Sequence, residues 1–489
     1  MGVRRALAFS VAERYLLLVV GLGSSMIIAR LLTPEVIGIY SVSLAFIGIA
    51  QVLRDFGVAS YLIQERDLTD DHVRTAFGVL LVLGLLVFAV LFAAAPLIAR
   101  LYGEAQMVPT LRICAFNFLA LPFCTVSLAL LRRSMAFKRL AAVNVVAACA
   151  GAAVSVGLAT VGFGVISLAL GSVVLNVVTG FGAWLARLDR RLLLPSFSKW
   201  RTVLNFGAQS SVAGVVTSIS MDINDLAVGK VMGFEPVAML SRAQGLMNLF
   251  HRDLMGAVRN VAYPAYAKAA REQQALEPIY LSSVSYLTAV AWPFYGFVSL
   301  FSLELLRLMF GPQWDAAASL VPVFCLAGAV AATINLIPNL VLAVGRVDLI
   351  TKVELFFQPL RAAFIVAAAV LFQSMMACAV ALVLAFLLHV PLMYFVKGCC
   401  LANDHQELRR NLGLSLAVSV AALMLPVVLA VVGAIAGPGP RWLAFGLAVP
   451  LCAASWLLAL AWFKHPLSRD PAFQRAKGWL LLLSRRGST

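Results

Sequence analysis

Charge is what this sequence has least of. Of its 489 residues, 12% are Asp, Glu, Lys or Arg, about half the roughly 25% of a soluble domain. Only 22 are acidic and five are histidine, so a water-facing surface cannot be assembled from them. Cysteine is also used sparingly. Cys114, Cys124, Cys149, Cys325, Cys378, Cys399, Cys400 and Cys452 lie in or beside apolar runs, with no C-x-x-C pair. They read as small packing residues, which excludes a disulfide framework and a metal site. No Walker loop, H-E-x-x-H pair or nucleophile elbow occurs; Gly162-Phe163-Gly164 is a tight turn. No cofactor is expected.

What is present is apolar. Hydrophobic residues make up 62% of the chain and the mean hydropathy is +0.95. Fourteen runs are long enough to cross about 30 Å of hydrocarbon as helices: 10–31, 36–57, 75–99, 109–131, 140–161, 165–187, 201–228, 234–256, 281–303, 318–344, 350–372, 377–396, 411–436 and 441–463. None alternates with the period of a barrel strand. The expected fold class is therefore an all-α polytopic membrane protein of about 14 transmembrane helices. The basic start, MGVRRALAFS, resembles a signal peptide, but Glu13 and Arg14 interrupt the apolar run, so it reads as a retained first helix.

Most of the 38 Lys and Arg residues fall on one side if both termini are cytoplasmic. Arg132, Arg133, Lys138 and Arg139 share one inside loop; Arg187, Arg190, Arg191, Lys199 and Arg201 share another. The outside turns hold Arg30, Arg100, Arg112, Lys230, Arg307 and Arg441. This bias sets the topology and accounts for the net charge of +16, leaving no reason to expect nucleic acid. The longest inside connection, about 257–280, reads as a helix and turn. The tail 466–489 reads as a basic amphipathic or disordered cytoplasmic segment.

An internal repeat organises the chain. ARLLTPEVIGIYSVS (29–43) returns in degenerate form as GKVMGFEPVAMLS (229–241), pairing Arg30 with Lys230 and Glu35 with Glu235. Leu101-Tyr102-Gly103 echoes Met309-Phe310-Gly311. Six helices per copy keeps both in one orientation. The expected domains are an N-terminal lobe (1–192, helices 1–6), a C-terminal lobe (193–400, helices 7–12), helices 13–14 (401–465) and the tail. The lobes are expected to be related by pseudo-twofold symmetry.

Charges inside the spans mark a candidate cavity, because each costs several kcal/mol in lipid. Arg14, Arg54, Arg242 and Arg361 present planar donor forks suited to a diphosphate. Glu13, Asp222, Asp225 and Glu354 could balance charge or hold a coupling ion. Structural readings stand beside these: Glu354 with Lys352 or Arg361 makes a packing ion pair, and Asp222 with Asp225 makes a wet helix rim. Asn117, Asn144, Asn176, Asn335, Asn339 and Gln358 could line a sugar path or simply pack. His251 and His389 could relay protons.

ARLLTPEVIGIY, LRDFGVASYLIQ, LRRSMAFKRLA, DINDLAVGKVMGFEPVAMLSRAQGL with YPAYAK, LMFGPQWDAA and LAVGRVD, in that order over about residues 1–400, resemble the polysaccharide transporter family. These are the Wzx-type oligosaccharide flippases of the multidrug/oligosaccharidyl-lipid/polysaccharide superfamily. The resemblance implies two MATE-like lobes, helices 1–6 against 7–12, rocking by alternating access. It implies an undecaprenyl-diphosphate-linked oligosaccharide as cargo, moved across a bacterial inner membrane for O-antigen, capsule or exopolysaccharide biosynthesis. Membrane lipids, a polysaccharide polymerase and chain-length machinery would be its partners. Related peptidoglycan-precursor flippases use cavity arginines on helices 1, 2 and 8, which Arg14, Arg54 and Arg242 match by position without a shared local motif. In those relatives helices 13 and 14 form a groove for the lipid tail.

Two other readings remain at this point. A MATE-like small-molecule or drug antiporter would need an acidic and aromatic cavity. A membrane enzyme of glycan assembly, a polymerase or ligase, would need a large outside loop, and the outside turns are too short for one; the chain is not expected to be an enzyme.

Overall fold

The structure, a computed structural model, describes residues 3–55, 57–65, 67–187, 194–470 and 473–474. The described residues are helical throughout, with no strand among them. Two compact units emerge. The first comprises Met1–Met239 with Met309–Gln313 and Ala369–Gln373; the second comprises Leu240–Leu308, Trp314–Ala368 and Ser374–Thr489.

The first unit holds α1 (Val3–Leu31), α2 (Pro34–Asp55), α3 (Val58–Gln64), α4 (Asp70–Tyr102), α5 (Met107–Ala115), α6 (Asn117–Arg133), α7 (Phe137–Thr160), α8 (Val165–Ala186), α9 (Trp200–Met232) and the opening of α10 (Phe234–Asn248). Local sequence explains the ends. Pro34 opens α2, where its missing N–H costs nothing, and Glu35 follows in the first turn. Thr69 and His72 cap α4 reciprocally, and Gly103 closes it in the left-handed region at φ 72°. Helix α7 packs between α1 and α8, α6 lies on α4 and α8, and α2 lies on α9. At about 50 Å, α4 exceeds the hydrocarbon thickness, and segment 194–199 docks on its first turns. Arg74 Nε donates to the Leu194 carbonyl at 3.2 Å, and Ser196 and Ser198 donate to the Asp71 carboxylate.

The two repeat-anchoring stretches meet inside this unit. A side chain at Gly38 would place its Cβ 1.9 Å from the Phe234 carbonyl oxygen, so only glycine admits this approach of α2 to the start of α10. Gly229 abuts Val42 in the same way. The helix-turn ends are stitched together by polar bonds. Tyr102 Oη donates to the Leu226 carbonyl at 2.9 Å, Lys230 Nζ donates to the Leu101 carbonyl, and Gln313 Nε2 donates to the carbonyls of Leu32, at 3.0 Å, and Ala29.

Apart from Met309–Gln313 and Ala369–Gln373, the second unit holds the rest of α10, a π-helical turn (Leu249–Leu254), α11 (Met255–Arg271), α12 (Leu276–Leu300), α13 (Ser302–Met309), a 3-10 turn (Pro312–Ser319), α14 (Val321–Ala332), α15 (Ile337–Ala343), α16 (Val347–Phe372), α17 (Met375–Gly398), α18 (His405–Ala436) and α19 (Pro438–Trp462). Helix α12 is its hub, touching α11, α14 and α18, and α18 pairs along its length with α19.

Every one of the fourteen apolar runs falls on helix, but several are interrupted. Run 109–131 breaks at Phe116 and run 318–344 breaks over 333–336. Run 234–256 contains the π turn. Run 281–303 starts earlier, at Leu276, and bends by 80° into α13. Among the described residues eleven helices are long and apolar enough to cross a membrane, or twelve if the bent pair is one span. The segment between the second and third runs is not wholly loop, since α3 occupies it. Apart from 466–470 and 473–474, the tail lies outside the described residues. All eight cysteines are free.

Candidate functional site

In the first unit, Glu13 on α1 accepts a hydrogen bond from Asn144 Nδ2 on α7 at 2.6 Å. Polar pairing between membrane helices of this kind replaces a hydrophobic drive that lipid does not supply. Its neighbour Arg14 is exposed. Arg54, in the last turn of α2, is only 2% exposed. A guanidinium withdrawn this far among apolar helices retains strong attraction for an anion, because little water competes for its donors.

Asp222 and Asp225 lie three residues apart on α9. The Asp222 carboxylate rests on the bare backbone of α2 at Gly48, where a Cβ would stand 2.5 Å from Oδ2. Glycine thus makes the space into which the carboxylate fits. Deeper in the unit, Asn117 and Asn176 join α6 to α8 through an amide hydrogen bond of 2.9 Å, and Asn117 Nδ2 also donates to Ser172 Oγ at 3.1 Å.

In the second unit, Arg242 stands over the ring of Trp314 at 5.3 Å from the centroid. Trp314 is fully buried in the 3-10 turn after α13. A guanidinium over the face of an indole gains cation–π attraction. Arg361 on α16 lies within electrostatic reach of Glu354, two turns earlier on the same helix, and of His389 on α17 and His251 in the π turn. His389 stacks on Phe357 at 3.6 Å with an interplanar angle of 8°. Glu354 accepts from Gln358 Nε2 at 2.6 Å, so it is a bonded member of a polar row. Asn335 and Asn339 serve packing: Asn335 accepts from Arg259 Nη1 at 2.9 Å, and Asn339 donates to the Arg259 carbonyl at 3.3 Å.

Of the charged residues singled out by sequence, then, Glu13, Arg242, Glu354 and Arg361 sit on identifiable polar or aromatic partners. Sequence reading missed three features. Trp314 under Arg242 was quoted only as part of a motif, though aromatic residues near an intramembrane arginine are a usable signal. The π turn carrying His251 has no composition cue, yet such bulges concentrate at functional sites. Lys397, 1% exposed on α17, pairs with Glu277 and donates to Asn403 Oδ1 at 2.9 Å beneath the Tyr280 ring; apolar flanks conceal it.

A family model described as polysaccharide biosynthesis protein matches residues 27–319. The lipopolysaccharide biosynthesis protein WzxC of Escherichia coli (strain K12) is 23% identical over 424 residues, covering 85% of each chain. The teichuronic acid biosynthesis protein TuaB of Bacillus subtilis (strain 168) is 25% identical over 308 residues, 61% of this chain and 62% of that protein. Among solved structures, the lipid II flippase MurJ in an inward closed conformation superposes with a TM-score of 0.76 at 12% identity, over 95% of this chain and all of that one. An inward-facing multidrug resistance MATE family transporter of the MOP superfamily superposes with a TM-score of 0.55 at 16% identity, over 78% of this chain and 96% of that one.

Proposed function

Because the chain belongs to this polysaccharide biosynthesis protein family, we propose that it is a flippase for undecaprenyl-diphosphate-linked oligosaccharide units. It moves them by alternating access across the bacterial inner membrane for surface polysaccharide biosynthesis, and it catalyses no covalent chemistry. In this reading it has fourteen membrane helices in two pseudo-twofold lobes (1–192 and 193–400), an added pair in 401–465 and a basic tail at 466–489. Both termini are cytoplasmic. The cargo's polymerase and chain-length machinery would receive the unit on the far side.

The observation that carries this reading is the withdrawal of arginine from water within membrane-length helices, as at Arg54. A guanidinium in that setting presents a planar fork of donors that suits the oxygens of a lipid diphosphate. Arg14, Arg54, Arg242 and Arg361 take the diphosphate in turn. Glu13, Asp222, Asp225 and Glu354 balance the charge when the cavity is empty or hold a coupling ion.

Single Arg14→Ala and Arg242→Ala substitutions, compared at equal membrane abundance in cells lacking the native copy, test the proposal. Loss of surface polysaccharide with lipid-linked units accumulating on the cytoplasmic leaflet is expected. Unchanged export in both would remove them from the site.

The acidic pair Asp222 and Asp225, with the Asp222 carboxylate seated against α2 at Gly48, favours a second reading as a MATE-like antiporter of small cations. Export of lipophilic cations, lost in Asp225→Asn while polysaccharide assembly continues, would establish that reading instead.

A further inference from the structure

On the lipid-facing side of the first unit, α6 and α8 diverge around a cavity of about 610 Å³ lined by Phe116, Phe123, Val177, Phe181, Trp184 and Ser127, among others. Phe116, Phe123, Val177 and Phe181 are all exposed in the isolated chain. In a membrane-spanning helix pair they meet hydrocarbon, so the occupant is an alkyl chain. From Phe116 to Ser127 on α6, and from Val173 to Trp184 on α8, the helices rise about 16 Å. That is half the hydrocarbon thickness of about 30 Å and suits the chain of a lipid from one leaflet.

The groove has a marked polarity. It runs toward the end where α6 finishes in Arg132 and Arg133 and α7 begins with Lys138 and Arg139. Arg139 Nη1 donates to the carbonyl of Ala186, the last residue of α8, at 3.0 Å, which fixes a cation beside the Trp184 end. Arg133 is turned away, donating to the carbonyls of Leu62 and Ile63 at 3.1 and 3.2 Å. Arg132 and Lys138 are exposed. Between Glu104 and Asp189 the sequence holds no carboxylate, so no acid from α5 through α8 offsets these cations. Inside the groove, the Ser127 hydroxyl is 1% exposed and has no hydrogen-bond partner. It lies about 8 Å of helix rise from Arg132, at the depth of the ester linkages beneath a headgroup phosphate.

The geometry points to a structural binding site for an anionic glycerophospholipid, its phosphate on Arg132 and Lys138, an ester carbonyl accepting from Ser127 and one acyl chain in the α6–α8 groove. Binding is read on purified protein without transport, so the inference stands or falls apart from the flippase reading. The full-length chain would be delipidated in detergent and titrated with phosphatidylglycerol and phosphatidylcholine of identical chains, scoring lipid adducts by native mass spectrometry and the melting temperature. Phosphatidylglycerol is expected to bind about tenfold more tightly. Arg132→Ala with Lys138→Ala should erase that preference. Ser127→Val should weaken both lipids a few-fold while keeping the headgroup preference. Ala120→Trp should fill the groove and abolish both. If Ala120→Trp fails to fold, the double charge variant and Ser127→Val still decide. Equal affinity for the two headgroups in the native protein, or a preference that survives loss of both cations, would overturn the site. So would displacement of phosphatidylglycerol by equimolar undecaprenyl phosphate, which would reassign the groove to an isoprenoid chain.

Discussion

The two units differ in their most conspicuous contacts. In the first, glycine admits close approach: Gly38 to the Phe234 backbone, Gly48 to the Asp222 carboxylate and Gly229 to the Val42 side chain. In the second, buried side chains form polar clusters: Lys397 with Glu277 and Asn403, and His465 with Ser285 and Ser415. Lipid gives helices no hydrophobic reason to associate, so close van der Waals contact and interhelical hydrogen bonds are the two available solutions. Each unit uses both, since Asn176 bonds Asn117 in the first and Gly296 meets Leu423 in the second, so the test differs from contact to contact. A contact made through small residues fails when volume is added, whereas a polar cluster fails when a partner is removed.

The largest effect is expected in the second unit. Lys397→Met or Glu277→Gln alone should cost about 3–5 kcal/mol by stranding a buried partner. The double variant should recover a large part of that loss. Denaturant or thermal unfolding of all three proteins in detergent checks the cycle, and additive losses would remove the ion pair as the organising contact.

In the first unit, Gly38→Val should cost about 3 kcal/mol or more, since its Cβ falls inside the contact distance of the Phe234 carbonyl. Gly21→Ala, where a Cβ meets nothing within 4 Å, should leave the melting temperature unchanged or raised. If both substitutions behave alike, glycine contact is not what joins α2 to the start of α10.

The next effect depends on pH. His465, just past α19, is fully buried. Its Nδ1 accepts from the Leu467 N–H at 3.2 Å, and its Nε2 faces Ser285 Oγ and Ser415 Oγ at 3.1 and 3.2 Å. Burial lowers its pKa to about 4, against about 6.5 in an unfolded chain. Between those values the unfolded chain binds a proton that the folded one refuses. Stability from this group is therefore complete above about pH 6.5 and declines by about 3 kcal/mol as pH falls toward 4. His465→Gln should flatten that part of the profile; an unchanged slope would place the titration elsewhere.

The smallest effect belongs to the exposed pair of Arg307 and Asp315, joined at 2.5 Å. The bond from Arg307 holds the Asp315 carboxyl below its ordinary range, yet solvent screens the pair, and Arg307→Gln should cost less than about 1 kcal/mol. A larger loss in thermal unfolding would mean that the turn after α13 has a second duty.

Much of this arrangement was legible in sequence. Each apolar run announced a helix, because a backbone in lipid has no other way to bond its own N–H and C=O groups. The stretch around Gly38 and its degenerate copy around Phe234 were recognisable as a pair, and they touch. The breaks at Phe116 and over 333–336 were not legible as breaks, nor was the 80° bend at Phe301. Polar residues do stand at or beside two of them, Asn117 and Asn335, but tertiary packing decides where the helix yields. The candidate arginines could be picked out because a charge in an apolar run is conspicuous. Their partners could not: Trp314 lies far along the chain from Arg242, and only folding brings the ring beneath the guanidinium.

The central claim is that arginines withheld from water receive a lipid diphosphate. The most direct measurement is the affinity of the purified protein for undecaprenyl diphosphate relative to undecaprenol, repeated with Arg54→Lys and Arg242→Ala. The account predicts tighter binding of the diphosphate in the native chain, with each substitution weakening it by about tenfold or more through lost charge-assisted bonds and leaving undecaprenol unaffected. Equal affinity for the two lipids, or a diphosphate preference untouched by both substitutions, would contradict it.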